Sequence, residues 1–262
     1  MPEENLMGKT SEPSHRRIHF MDELRGFAVL CMVFYHAFFT LAYLYNQQWG
    51  LVLLNFFMPA EPFFAGLFIF ISGISSDLSR SNLKRGLKLL GVALAVTLVT
   101  VLFVRDEAIY FGILHFLAVC MILFGLTKSF FNKIPFWWGI AGCVLLYILT
   151  RGISGGYFGF GNALALHLPG VLYTTDWLAP LGMYSSTFAS SDYFPLLPWM
   201  FVFLAGTFFG RFAAAEKFPR FTYQSHVPPL SFMGRHALII YIVHQPVIYG
   251  VVWGIDFLIH HL

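Results

Sequence analysis

The sequence contains seven apolar segments, each long enough or nearly long enough to cross a lipid bilayer. A helix needs about 20 residues to span the hydrocarbon layer. Only 11% of the 262 residues are charged, less than half the share in an ordinary soluble domain. The segments lie near residues 24–46, 52–75, 86–104, 108–127, 135–150, 195–214 and 235–257. We therefore predict an all-α integral membrane protein, a bundle of about seven transmembrane helices.

The placement of lysine and arginine predicts the orientation of this bundle. If the N-terminus is cytoplasmic, only Arg105 and Arg151 of the 16 basic residues fall outside, as the positive-inside rule requires. The C-terminus is then extracytoplasmic. We expect a polar cytoplasmic tail over 1–19 and a single transmembrane domain over 20–262 in the cell membrane, most simply a bacterial inner membrane.

The long stretch 151–194 contains a semi-apolar piece, 163–183, that could be counted as an eighth span. Counting it would move the basic residues from Arg211 to Arg235 to the outside. Its Gly, Ser, Thr and Asp content suits irregular backbone covered by protein or water. We predict an extracytoplasmic or re-entrant loop.

Ionisable residues lie inside the first span, where they are expensive. Arg25 and His36 are eleven residues apart, close to three helical turns, so they share a face and lie roughly 16 Å apart. With Asp22 they form a polar stripe from the cytoplasmic mouth to mid-bilayer. The alternative is structural: Arg25 is an interfacial anchor paired with Asp22, and His36 is a hydrogen-bonded packing residue.

Three further ionisable residues occur in other spans: Glu61 between two prolines, His115 and His244. Glu61 is protonated, paired with a cation, or beside a break in the helix that lets it line a wet cavity. Each histidine by itself is more simply a core residue. Together these groups favour a functional cavity, because a scaffold has no need of them.

These residue types indicate proton-transfer or acyl-transfer chemistry. A neutral histidine acts as a general base or accepts an acyl group as a nucleophile. Arg25, Lys84, Arg85 and Lys88 could hold a phosphate-rich donor, or they could simply follow the positive-inside rule. The three cysteines lie in apolar runs, and no metal is expected.

Five segments, in this order, resemble the bacterial family related to the catalytic domain of heparan-alpha-glucosaminide N-acetyltransferase: RIHFMDELRGFAVLCMVFYHAFF, GLFIFISGISSDLSRSNLKRGLKLL, FGILHFLAV, FPLLPWMFVFLAGTFFGR and MGRHALIIYIVHQP. The resemblance covers about 18–250. The spacing of Arg25 and His36 also resembles a signature of the broader transmembrane acyltransferase superfamily. The resemblance implies transfer of an acyl group from cytoplasmic acyl-CoA to an acceptor at or beyond the membrane.

The chain departs from the heparan enzyme in YNQQWGLVLLN, where the proposed catalytic histidine of that enzyme has no counterpart. The superfamily histidine therefore maps onto His36. We predict His36 and Glu61 as catalytic residues. The predicted substrate-binding residues are Asp22, Arg25, Lys84, Arg85, His115 and His244.

The predicted donor is acetyl-CoA or another acyl-CoA, and the predicted acceptor is an envelope glycan, a lipid or a small amine. Asp176 and Asp192 of the long loop are candidates to bind the acceptor amine or hydroxyl. The bilayer is the expected partner, with no nucleic acid and with a homo-oligomer left open. The rival interpretation is a proton-coupled transporter or flippase that uses the same Glu and His residues as a relay.

Overall fold

A computed structural model describes residues 17–161 and 164–261. Within them, seven helical segments are long and apolar enough to cross a membrane, which confirms the predicted bundle. Residues 1–16 of the predicted tail lie outside the described residues. The α-helices are α1 (His19–Phe39), α2 (Gln48–Phe57), α3 (Glu61–Asp77), α4 (Asn82–Phe103), α5 (Ile113–Phe131), α6 (Phe136–Thr150), α7 (Leu196–Ala214), α8 (Pro228–Arg235) and α9 (Ala237–His261).

The second span is broken near its middle. Helix α2 ends at Phe57, a 3-10 turn covers Met58–Ala60, and α3 begins at Glu61. Pro59 and Pro62 have no amide proton to donate, so a continuous helix loses hydrogen bonds at this point. The break places Glu61 in the first turn of α3.

The stretch after α6 has no helix of membrane length among its described residues. It carries a hairpin of β1 (Tyr157–Phe160) and β2 (Leu164–His167), paired antiparallel, followed by 3-10 turns. Its last part, 191–194, lies against the segment that precedes α5, since backbone N–H groups of Ser191 and Phe194 donate to carbonyls of that segment.

The bundle core forms where helices approach closely. Helices α3 and α7 pack along their length, with Gly73 against Gly206, and a Cβ at either position would overlap the backbone of the other helix. Close backbone approach through small residues is typical of helices in membranes. Beside this contact, Phe116, Phe124, Phe203 and Phe208 are fully buried.

A buried carboxylate fixes the position of α1 at the end that carries Arg25. Glu23 Oε1 accepts hydrogen bonds from the Ser225 hydroxyl at 2.9 Å, the His226 amide at 2.6 Å and the Val227 amide at 2.9 Å. These three donors precede α8, which packs against α1. The contact therefore locks α8 onto α1, and through α8 it sets where α9 begins.

Candidate active site

Arg25 pairs two helices at one end of the bundle. Its Nη1 donates to Asp22 Oδ1 at 3.1 Å, and its Nη2 donates to Ser75 Oγ of α3 at 2.7 Å. Arg17 Nε donates to the other oxygen of Asp22 at 2.8 Å. These residues line a cavity of about 250 Å³. Two of the predicted substrate-binding residues, Asp22 and Arg25, are thus brought together in one ion pair beside that cavity.

Lys84 and Arg85 lie in the first turn of α4, and both are exposed. Arg85 Nη1 donates to the backbone oxygen of Ser75 at 3.4 Å, so it reaches the residue that also binds Arg25. Arg25 therefore donates to the hydroxyl of this serine and Arg85 to its backbone oxygen. Lys84 is on the same helical turn.

His36 lies three turns further along α1, where α9 passes beside it. Gln245 Nε2 is 3.3 Å from His36 Nδ1, and the rings of His36 and His244 are 4.9 Å apart between centroids. His244 Nδ1 donates to the backbone oxygen of Tyr241 at 2.5 Å. A neutral His244 then carries its lone pair on Nε2, and none of the described residues offers that buried atom a hydrogen bond.

Asp192, which follows the hairpin region, reaches the N-terminus of α5. Its Oδ2 accepts the amide proton of Ile113 at 2.9 Å and the hydroxyl proton of Tyr241. A helix N-terminus leaves amide groups unpaired and favours a negative charge. Burial raises the pKa of the Asp192 carboxyl above its ordinary value, and the hydrogen bonds from Tyr241 and Ile113 act in the opposite direction.

Gly112 makes this approach possible. A Cβ at Gly112 would overlap Asp192 Oδ2, so only glycine leaves room for the carboxylate at the start of α5. Sequence reasoning missed the roles of Gly112, Tyr241 and Gln245. The glycine before an apolar helix is the one local signal for such a contact, and it does not identify the partner.

Glu61 and His36 face the same small cavity. It measures about 60 Å³, and its polar lining consists of His36, Glu61, Asp192 and Tyr241. The two predicted catalytic residues therefore line one cavity, although they come from different spans. Glu61 lies in the first turn of α3, directly after the break at Met58–Ala60.

A second cavity, of about 490 Å³, lies between α4 and α9. His36, Asp192 and Tyr241 line both cavities, so these three residues stand at the boundary between them. His244 and Gln245 line only the larger one.

The structure sets His115 apart from this group. Its Nε2 lies 3.2 Å from Thr97 Oγ1, and Thr97 in turn donates to the backbone oxygen of Ile109 at 2.7 Å. His115 lines neither of the cavities that His36 faces. Its observed contact ties α5 to α4.

Among the described residues, no group of three or more His, Cys, Asp or Glu side chains is arranged to hold a metal ion. The polar groups of the site are instead two adjacent imidazoles, two carboxyls and a phenol. Such a set can take a proton from an attacking amine or hydroxyl and hold the attacking group in place.

One of the comparisons with known proteins identifies a family. The model of one family, described as "Heparan-alpha-glucosaminide N-acetyltransferase, catalytic", matches residues 17–246, a range that includes each of the predicted site residues. Neither the curated proteins nor the solved structures gave a match.

Proposed function

The chain belongs to the family of the heparan-alpha-glucosaminide N-acetyltransferase catalytic domain, and from that membership we propose a membrane-embedded acyltransferase that uses cytoplasmic acyl-CoA, most simply acetyl-CoA. The acceptor is an amine or a hydroxyl. The observation that carries the proposal is the meeting of His36, Glu61 and Asp192 around one cavity inside the bundle.

The donor side is the end that carries Arg25. The cavity beside Arg17, Asp22 and Arg25 is open to the surface, and Arg85 lies next to it across Ser75. Guanidinium groups bind phosphates through paired hydrogen bonds, which suits the phosphates of CoA. From there the acyl end would extend along α1 toward His36, roughly 16 Å away along the helix axis.

His36 is the proposed general base. In the structure Gln245 Nε2 faces His36 Nδ1, and the buried Gln245 Oε1 has no partner among the described residues. For the role proposed here the amide group is turned by 180°, so that His36 Nδ1–H donates to Gln245 Oε1 and the His36 Nε2 lone pair is left free. The acceptor nitrogen or oxygen attacks the thioester carbonyl and gives a proton to His36 Nε2. The carbon–sulfur bond then breaks, and the departing CoA thiolate takes the proton from the imidazolium.

The neighbouring groups hold and polarise the reactants. His244 Nε2 is an unpartnered acceptor beside His36, and it would accept a hydrogen bond from the attacking amine or hydroxyl. Glu61 and Asp192 both line the small cavity, and their carboxylates repel each other. A protonated or cationic group bound between them would relieve that repulsion.

Transfer of radiolabelled acetyl groups from acetyl-CoA by the purified protein in liposomes tests the proposal. His36→Ala should lower kcat/KM by about 100-fold or more, because general base catalysis contributes that much. His236→Ala is the matched control, since His236 bonds only within the α8–α9 turn, and it should leave the rate unchanged.

Two results would refute the assignment. Full acetyl transfer in a folded His36→Ala protein would remove His36 from the mechanism. Absence of any acetyl transfer, together with proton flux through the wild-type protein that Glu61→Gln abolishes, would establish the transporter in its place.

A further inference from the structure

The walls of the larger cavity include exposed apolar residues of two membrane-length helices, α4 and α9. Its walls include Val99 of α4, which is 53% exposed, and Ile242 of α9, which is 41% exposed. Helix α9 packs mainly against α1 and leaves a gap to α4. Since both helices cross the membrane, the gap between them faces hydrocarbon.

The polarity of this cavity changes from its buried side to its open side. Tyr241 and His244 line the side next to α1, together with Asp192, and His244 is only 8% exposed. Val99 and Ile242 form an exposed aliphatic edge of the cavity, and Glu107 and Ser191, which are hydrogen-bonded to each other, also line it. The shape and polarity suit a molecule whose polar end lies inside and whose alkyl chain leaves between α4 and α9.

The hydrogen-bonding groups at the buried side specify the kind of polar end. His244 Nδ1 is bound to a carbonyl, so Nε2 of the neutral ring is a buried acceptor, and no donor in the described protein meets it. The Asp192 carboxylate adds further acceptor capacity on the same wall. An unpaired buried acceptor is unfavourable, so the group that fits here is rich in N–H or O–H donors.

We propose that the acceptor substrate is an amphipathic lipid with an amino or hydroxyl headgroup, which enters from the bilayer through the gap between α4 and α9. This inference rests on the proposed acyltransferase function and names its acceptor class. The acyl chain of a long-chain donor fits less well, because a thioester offers an acceptor oxygen and no donor to His244 and Asp192.

Narrowing the gap tests the route. The probes are dodecyl glucosaminide and methyl glucosaminide, which present the same amine and hydroxyls with and without an alkyl chain, in phosphatidylcholine nanodiscs. Val99→Trp should lower kcat/KM for the dodecyl probe by about tenfold or more and leave the methyl probe unchanged. Leu98→Trp is the matched control, since Leu98 is 59% exposed on the same helix but does not line the cavity.

A second measurement does not depend on catalysis. A dodecyl glucosaminide with a diazirine at the end of its chain should label peptides of α4 and α9, and Val99→Trp should suppress that labelling. Photoreactive dodecyl phosphocholine, which has no donor in its headgroup, should label these peptides weakly. Equal labelling by the two probes means bulk lipid only and overturns the proposal.

The two measurements separate the possible failures. Acetyl transfer to both glucosaminides that Val99→Trp and Leu98→Trp affect equally would refute the lipid route and leave the acyltransferase intact. Headgroup-dependent labelling of α4 and α9 without transfer to any acceptor would keep the lipid site and refute the proposed reaction.

Discussion

Replacing Gly112 by alanine should disrupt the candidate site without changing any group that does chemistry. The backbone of Gly112 has an extended conformation, with φ −81° and ψ −178°, which alanine adopts without strain. The perturbation is therefore purely steric. The added Cβ would overlap Asp192 Oδ2, so the carboxylate must move away from the start of α5.

The expected magnitude follows from the contacts that Asp192 would lose. Its Oδ2 accepts from the Ile113 amide and from the Tyr241 hydroxyl, and a hydrogen bond to a charged group contributes about 1.5–3 kcal/mol. The glycine-to-alanine change also stabilises the folded protein by about 0.4–1 kcal/mol, because it lowers the conformational entropy of the unfolded chain. If both hydrogen bonds are lost, we expect a net loss of about 2–5.6 kcal/mol. A shift of about 1 Å at the reacting centre lowers the rate by about 100-fold.

The assay pairs acetyl transfer with thermal unfolding in the same lipid environment, and Gly142→Ala serves as the control. A Cβ at Gly142 would meet nothing within 4 Å, so that variant should keep its activity and unfold at an equal or higher temperature. If Gly112→Ala retained wild-type activity and stability, Asp192 would not be held as described and its role in the site would fail.

Three further predictions concern contacts that position the site. Glu23→Gln should lower the free energy of unfolding by about 2 kcal/mol, since the three hydrogen bonds to its carboxylate lose their charge; an unchanged denaturation midpoint would contradict this. Gly73→Leu should lower the thermal unfolding temperature sharply, because α3 and α7 are in contact at this residue. Gly91→Leu is the control, since a Cβ at Gly91 would meet nothing within 4 Å. Equal shifts in the two variants would show that helix contact is not the cause. Gln245→Leu removes the contact that orients the His36 ring, so it should reduce acetyl transfer by about tenfold and leave the KM for the donor unchanged. A change in the donor KM alone would contradict a role of Gln245 in orienting His36.

The family assignment does not by itself identify the catalytic residue. The chain belongs to the heparan-alpha-glucosaminide N-acetyltransferase catalytic family, yet the segment after its first span lacks the histidine that the resemblance would place there. His36 supplies an imidazole at mid-depth of the first span instead. Its position beside His244 and at the boundary of both cavities makes it the residue to mutate first.

Part of the site could be predicted before the structure. The pairing of Arg25 with Asp22 follows from their spacing on one helix, and the structure has that ion pair. The break at Glu61 follows from the chemistry of proline. His115, by contrast, is indistinguishable in sequence from His244, yet it bonds to Thr97 outside the cavities that His36 faces.

The seven spans and the presence of ionisable groups within them follow from the amino-acid sequence, because the length of an apolar run and the energetic penalty of a buried charge are local properties. Which of these groups meet depends on how the helices pack. His36 contacts a residue 209 positions away and Asp192 one 49 positions away, and such contacts depend on how each helix is rotated and packed. That rotation is set by close approaches such as Gly73 on Gly206, and by Gly112 leaving room for Asp192. The composition of the spans fixes none of them, because in lipid every apolar face of a helix is equally well solvated.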